Sequence, residues 1–275
     1  MSYVRGKIAV ITGAGSGIGR ALALQLNREG CALYLGDINP DSLAATLAML
    51  SRKDVAADGH ILDVADKAGM HAWAEQIAAA RNHVDIVINN AGVALVATVE
   101  ESDYANIEWL MGINFWGVVY GTQAFLPLLR RARQGHLVNL SSVFGLIGVP
   151  TQSAYNAAKF AVRGYTEALR QEMYGTNVHV CCVHPGGIRT NIARTARVGN
   201  TATSSEEFGS DFDKIARTTP DVAAQKIIAA IEKRKKRLLI GLDAAIISLL
   251  CRLFPVSYPR FMQALAKPPE RLVTR

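Results

Sequence analysis

Cysteine is scarce in this sequence. Four residues in 275, Cys31, Cys181, Cys182 and Cys251, include no CxxC pair; they are too few for a disulfide framework at this length and lack the spacing of a zinc site. A reducing, cytoplasmic setting is the expectation that follows. The six histidines, at 60, 71, 83, 136, 179 and 184, form no HxxxH or HExxH pair, so no metal is expected. The opening MSYVRGK runs directly into an apolar stretch and lacks the tripartite layout of an export signal. Charge is thin as well. Only 19% of residues are charged, and 30 Lys plus Arg against 23 Asp plus Glu leave a net +7, too small an excess to choose among anionic ligands, membrane surfaces and nucleic acid. No basic motif with interleaved aromatics is present, so nucleic acid is not an expected partner. What the chain has in quantity is apolar side chains, half of all residues, enough for a sizeable core and incompatible with a wholly disordered chain.

These apolar residues follow a repeating grammar. The runs IAVIT (8–12), ALYLG (32–36), HIL (60–62), DIVIN (85–89), HLVNL (136–140), HVCCV (179–183) and RLLIGL (237–242) alternate with stretches of helical period. Seven strands separated by helices predict a parallel sheet, and the unbroken apolarity of several runs predicts helices on both faces. The expected fold is α/β: a single-domain Rossmann fold over 1–275 with a doubly wound seven-stranded parallel sheet. Residues 19–29, closed by Gly30, 40–51 and 67–80 read as helices. The 21 residues from Trp109 to Leu129 carry no charge and are long enough to span a bilayer, but Asn114, Thr122, Gln123, three glycines and Pro127 favour a buried or interfacial helix. Leu238 to Cys251 is shorter, is broken by Asp243, and cannot span.

Thr12-Gly13-Ala14-Gly15-Ser16-Gly17-Ile18-Gly19 follows the first strand and opens the first helix. Glycines there let the backbone turn tightly and approach a pyrophosphate, whose charge is favoured at a helix N-terminus. A glycine cluster by itself is often only a turn; the strand–turn–helix context points to a dinucleotide. Asp37, ending the second strand, suits the adenosine ribose hydroxyls and would repel a 2′-phosphate, so NAD is favoured over NADP. Asp63, Asn90-Ala91-Gly92, Ser141-Ser142 and Pro185-Gly186 likewise follow strands. They gather at the carboxyl edge, where open α/β sheets bind ligands. Tyr155 and Lys159 lie four apart on a predicted helix over 153–174, so they share a face. A neighbouring ammonium lowers a phenol's pKa and makes it a usable proton carrier, although such a pair alone is usually only a surface contact.

With TGAGSGIG at 12–19, Asp63-Val64, NNAG at 89–92, Asn114, Ser142, YNAAK at 155–159 and PGGIRT at 185–190, the sequence resembles the short-chain dehydrogenase/reductase family over about residues 5–190. The resemblance implies reversible hydride transfer between nicotinamide C4 and a carbinol or carbonyl carbon, without metal. In that pattern Tyr155 is the general acid/base. Ser142 binds the substrate oxygen, Lys159 lowers the tyrosine pKa and holds the nicotinamide ribose, and Asn114 positions a water. It also implies that Gly13, Ser16, Ile18 and Gly19 serve the phosphates, with Gly17 a further cofactor contact, Asp63 and Val64 the adenine and Asn90 the adenosine ribose. Ala91, Gly92, Tyr155, Lys159, Pro185, Gly186, Ile188 and Thr190 complete the cofactor contacts. Spacing to the tyrosine in the family pattern selects Ser142 over Ser141.

Less is legible beyond residue 190. Residues 191–219 read as a long polar connection, either a lid over the substrate or a disordered insertion. Substrate contacts are expected from Ser142, Phe144, Tyr155 and Gly187, with Val93, Ala94, Val143, Leu146 and Ile192 as apolar walls for a hydrophobic alcohol or ketone. The segment 238–275 departs from the family's common ending. Lys233 to Arg237 complements a helix C-terminus or, with Ile246, Ile247, Leu249, Leu250, Leu253 and Phe254, makes a peripheral membrane contact. The helices around 107–131 and 153–174 carry enough apolar surface for a homodimer or homotetramer. The expected enzyme is an NAD(H)-dependent alcohol dehydrogenase or carbonyl reductase. The alternatives are a non-catalytic dinucleotide sensor and a membrane-associated lipid-, steroid- or retinoid-type carbonyl reductase.

Overall fold

The computed structural model describes residues 3–199 and 204–260. Seven strands form one parallel sheet: β1 (Ile8–Thr12), β2 (Ala32–Asp37), β3 (Ala57–Ile61), β4 (Ile86–Asn89), β6 (Gly135–Leu140), β7 (Val178–Pro185) and β9 (Arg237–Ile240), in the order β3-β2-β1-β4-β6-β7-β9. The order reverses beside β1, where the crevice that receives ligands in such sheets opens. Alternate side chains of each strand feed opposite faces. Ile11, Leu35, Val138 and Val183 pack with Leu22 and Leu26 of α1 (Gly17–Arg28) and Ile227 and Ile231 of α8 (Pro220–Glu232). Val10, Val87, Leu137 and Val180 pack on the other face with Trp73 of α3 (Lys67–Ala80), Phe125 of α5 (Gly117–Arg131) and Leu169 of α6 (Ser153–Glu172). Burial on both faces explains runs that are apolar without alternation.

Local chemistry sets the ends of the helices. The Asn39 side chain accepts from Ser42 N at 2.9 Å ahead of α2 (Pro40–Met49), and Thr219 caps α8; both helices have proline in the first turn, where its missing N–H costs nothing. Gly30, with φ +86°, closes α1.

Several boundaries differ from the sequence reading. The strand placed at 60–62 is 57–61; on the sheet edge, with Asp58 and Gly59 exposed, it carries little apolar signal. The strand placed at 237–242 stops at Ile240, because Gly241 turns at φ +104° into α9 (Leu242–Leu253). The uninterrupted helix expected over 109–129 is α4 (Tyr104–Met111), a π-helical turn (Gly112–Trp116) and α5; no helix among the described residues is long and apolar enough to cross a membrane. Residues 191–219 are not structureless. Short β8 (Arg197–Val198) pairs in parallel with β5 (Leu95–Val96), and α7 (Ser205–Ile215) starts with a reciprocal Ser204–Glu207 capping box. Residues 200–203 of this connection and 261–275 of the C-terminal segment lie outside the described residues.

At the amino edge, far from the crevice, Tyr3 Oη lies 2.6 Å from Nε2 of buried His136, whose ring meets that of His179 on the next strand at 5.2 Å. Burial holds His136 down to about 4.

Candidate active site

The glycine turn leaves β1 with Gly13 at φ +66°, and a Cβ on Gly19 would sit 2.0 Å from the Gly13 carbonyl oxygen. Only glycine permits that approach of turn to helix. Thr12 Oγ1 accepts from Asn90 N at 3.0 Å and Ala91 N at 3.2 Å, while Asn90 Nδ2 donates to the carbonyls of Thr12 and Gly13. The NNAG turn is thus fastened to the glycine turn. Asp37 closes the other side: one carboxylate oxygen accepts from Gly15 N at 2.7 Å, the other from Asn39 N at 2.9 Å, which leaves acceptor capacity on both. Ser16 is exposed, extended, and makes no side-chain cap to α1. The Thr190 side chain lies beside Gly17, bringing the loop after β7 to the same turn. Val64 is buried against Gly117, Ile188 is buried, and Asp63 is exposed with one oxygen accepting from Ala65 N.

The second half of the site is carried by β6, α6 and the π-helical turn. Lys159 is buried, and its Nζ donates to the carbonyl of Leu140 at 3.1 Å and lies 5.6 Å from the centre of the Tyr155 ring. The Ser142 hydroxyl reaches the Tyr155 phenol, and the Phe144 ring stands edge-on to the same tyrosine at 5.9 Å. Asn114, wholly buried in the π-helical turn, accepts from Val93 N and donates to Val93 O, both at 2.8 Å. A Cβ on Gly92 would lie 3.2 Å from Asn114 Oδ1 and 3.5 Å from Lys159 Nζ, so both side chains border that glycine.

The electrostatics depart from the sequence reading. Tyr155 is half-buried, and burial pushes its phenol up to about 12 against the opposing pull of Ser142. Burial pushes the Lys159 ammonium down to about 8. Desolvation therefore outweighs the lowering of the phenol's pKa expected from the neighbouring ammonium, because both charged forms lose water in the same enclosure. At neutral pH the phenol keeps its proton.

Tyr155 packs against the buried cluster of Ala94, Val96 and Ala196, which Ile192 and Phe208 also meet, so the segment after β7, through α7, shares one apolar cluster with the tyrosine. The pocket-wall residues Val143, Leu146 and Ala94 are buried, whereas Val93, Phe144, Gly187 and Ile192 keep partial exposure.

Some positioning residues carried no separate signal in the sequence. Asn156 donates to the carbonyls of Phe144 and Ile147 at 2.7 Å and accepts from Val149 N at 3.0 Å, holding the loop after Ser142. Arg20 donates to the carbonyls of Gly15 and Ser42 and to Thr46 Oγ1. Asp243, one residue into α9, accepts from Gly187 N at 2.7 Å. Asn156 follows the tyrosine directly, and Arg20 is one residue past the glycine turn, so adjacency was the available clue; Asp243 joins elements 56 residues apart and offered none.

A family model described as short chain dehydrogenase matches residues 7–200. The chain belongs to the short-chain dehydrogenase family. It is 46% identical over 267 residues to a putative oxidoreductase, SadH, of Mycobacterium tuberculosis, with 96% of each chain covered. It is 32% identical over 206 residues to a 3-ketodihydrosphingosine reductase of Bacteroides thetaiotaomicron, covering 75% of this chain and 73% of that one. A crystal structure of a short-chain dehydrogenase/reductase from Burkholderia phymatum in complex with NAD superposes with a TM-score of 0.83 at 30% identity, covering 92% of this chain and 95% of that one. This short-chain dehydrogenase is accordingly an oxidoreductase with the Rossmann-like fold of its family.

Proposed function

We propose that the chain moves hydride between NAD(H) and an apolar secondary alcohol or ketone, acting as one dinucleotide-binding and catalytic domain. The reading is carried by one observation: the Ser142 hydroxyl, the Tyr155 phenol and the Lys159 ammonium meet at the sheet edge that also holds the glycine turn. The cofactor, when bound, supplies or takes up the hydride; the remaining work belongs to the chain.

In the reducing direction Tyr155, held protonated by burial, gives its proton to the carbonyl oxygen as negative charge develops there. Ser142 donates a hydrogen bond to the same oxygen. The Lys159 ammonium faces the phenolate left behind and offsets its charge. Asn114, committed to Val93, keeps the backbone beside Lys159 in place. Oxidation runs the same steps backwards and must first free the phenol of its proton, so the resting site favours ketone reduction.

Gly13, Ser16, Gly17, Ile18, Gly19 and Thr190 would hold the phosphates, and Asp37 the adenosine ribose. Asp63, Val64, Asn90 and Ala91 fit the adenosine end; Gly92, Tyr155, Lys159, Pro185, Gly186 and Ile188 fit the nicotinamide end. A 2′-phosphate would meet the Asp37 carboxylate, and the guanidinium of Arg20 is occupied by Gly15, Ser42 and Thr46; this favours NAD over NADP, as does the relative in complex with NAD. The partly exposed Phe144, Val93, Gly187 and Ile192 favour an apolar substrate covered by residues 191–199 and 204–219, as does a relative named for reduction of a keto compound. Exposed Trp116 and Phe160 on the α5–α6 side suit pairing with a second copy.

The test is absorbance at the reduced-nicotinamide band over a panel of apolar secondary alcohols and ketones, comparing wild type with Tyr155→Phe. NAD and NADP are titrated separately, with Asp37→Ala as control. Cofactor binding with no turnover across the panel would overturn the enzyme in favour of a dinucleotide sensor. Equal affinity for both cofactors would overturn the preference.

A further inference from the structure

Helix α9 is strongly apolar and largely uncovered. Its sequence, LDAAIISLLCRL, contains six leucines and isoleucines, yet the only residue it buries is Ala244. Leu242, Ile246, Leu249 and Leu253 recur at helical spacing and are 76%, 47%, 57% and 60% exposed; Val256, in the turn that follows, is 89% exposed. Single exposed leucines are ordinary on protein surfaces, but a continuous stripe along one helix is not.

The border of the stripe is basic. Arg237, at the start of β9, donates to Ser248 Oγ of α9 at 3.2 Å and feels Arg163 and Arg170 of α6. Arg163 also acts on Cys251 of α9, and Arg252 is exposed on α9 itself. The acidic residue facing this group is Glu167, already paired with Arg163 at 3.1 Å. From 233 to 260 the chain carries Lys233, Arg234, Lys235, Lys236, Arg237, Arg252 and Arg260 against the single acid Asp243, whose carboxylate is turned inward to Gly187.

We propose that α9 and the turn after it dock on an anionic lipid bilayer, the apolar stripe entering the headgroup boundary and the flanking arginines meeting lipid phosphates. An amphipathic helix with apolar residues on one side and cations beside them gains from both terms at such a surface. Charge decides against the other occupants. A two-fold contact between copies would place this cationic border against itself, and residues 261–275 add Lys267, Arg271 and Arg275 against Glu270. The docked element is tied to the catalytic loops at two points: Asp243 accepts from Gly187 N, and the Tyr258 hydroxyl accepts from Gly148 N at 2.8 Å. Docking therefore sets the loops around Ser142 and Gly187 close to the lipid surface, within reach of a substrate dissolved in it.

The experiment is co-sedimentation of the full chain with vesicles of phosphatidylcholine, with or without about one-third phosphatidylglycerol, in ~0.1 M salt. Wild type, Leu249→Asp/Leu253→Asp and Arg252→Glu are compared. Their soluble reductase activity and melting temperature are followed in parallel; these exposed positions lie outside the catalytic machinery, so both should stay at wild-type values. Wild type is expected to sediment with the anionic vesicles, the double variant to lose about two orders of magnitude in partitioning, and Arg252→Glu to lose several-fold on anionic vesicles only. Wild type left in the supernatant, or a double variant that binds like wild type, overturns the proposal. Light scattering identifies the other occupants: an oligomer that dissociates in the double variant while wild type ignores vesicles assigns the face to a second copy. Vesicle binding that appears only when the chain ends at residue 260 assigns it to the last 15 residues.

Discussion

The Ser141 hydroxyl donates to the backbone carbonyl of Lys159 at 2.8 Å, so β6 and α6 are joined at the neighbour of Ser142 and at the lysine itself. The bond is buried, and because the carbonyl keeps its helical partner within α6, its loss costs about 0.5–1.5 kcal/mol. Ser141→Ala is expected to lower stability by that amount and kcat by about tenfold through misplacement of the pair, with cofactor affinity nearly unchanged. Denaturant melts, steady-state kinetics and cofactor titration check it; an unchanged kcat in a destabilised variant would show the bond to be structural only.

Tyr155→Phe removes the proposed proton carrier and keeps the ring packed against Phe144. Turnover should fall ~100- to 10,000-fold with cofactor binding intact, as expected for loss of a general acid. Ser142→Ala should fall less, because water can take over part of its hydrogen bonding. A Tyr155→Phe variant within threefold of wild type would remove the phenol from the mechanism.

The proposed ketone reduction needs Lys159 charged, and burial brings that ammonium down to about 8. Tyr155, near 12, stays protonated throughout. The expected profile of kcat/KM for reduction is level at pH 6–7 and falls about tenfold per unit above pH 8. A flat profile to pH 10 would contradict it.

The same lysine weighs against stability. Its folded pKa is about 8 against an ordinary 10.5, so the unfolded chain binds the proton more tightly between those values. Stability therefore rises with pH from about 8 to 10.5, and the full penalty applies at pH 7. Lys159→Met removes the penalty but leaves the Leu140 carbonyl unpaired, for a net gain of about 1 kcal/mol, or ~3 °C, at pH 7. Thermal melts at pH 7 and 10 should show that gain shrinking with pH while activity is lost at both.

Acid acts at the opposite edge. His136 is held to about 4 by burial, then by the charges of His179 and Lys7, whereas the unfolded chain titrates near its ordinary value. Stability should fall as pH drops from about 6.5 to 4, by roughly 1–3 kcal/mol for this residue. His136→Gln, which preserves a partner for Tyr3, should flatten that limb in melts at pH 4.5; an unchanged limb would shift the origin to His184, also held near 4 by burial.

The sheet was readable because its central strands are buried on both faces, most motif residues because they follow strands, and Tyr155 and Lys159 because they lie one helical turn apart. Where burial weakens, legibility does too. Edge strand β3 mixes Asp58 and Gly59 with its apolar residues, and α7 opens on a Ser204–Glu207 capping box within a stretch rich in serine and threonine. The π-helical turn at 112–116 looks helical in any pattern, although its extra residue falls where Asn114 meets Val93. The raised pKa of Tyr155 lay beyond reach for another reason: residue spacing reveals a neighbour's charge but not how much water the fold removes from both groups.

The two-residue ladder between β5 and β8, Leu95 beside Arg197 and Val96 beside Val198, sits over the tyrosine yet belongs to a separate sheet from the seven-stranded one. Arg197 N and Gly199 N donate across it to the carbonyls of Ala94 and Val96. Unfastening it would cost that pair of backbone bonds, each worth about 0.5–1.5 kcal/mol, together with the apolar contacts of Val96 and Ala196. The register of the main strands does not depend on it, so this small ladder can part while the scaffold beneath stays intact.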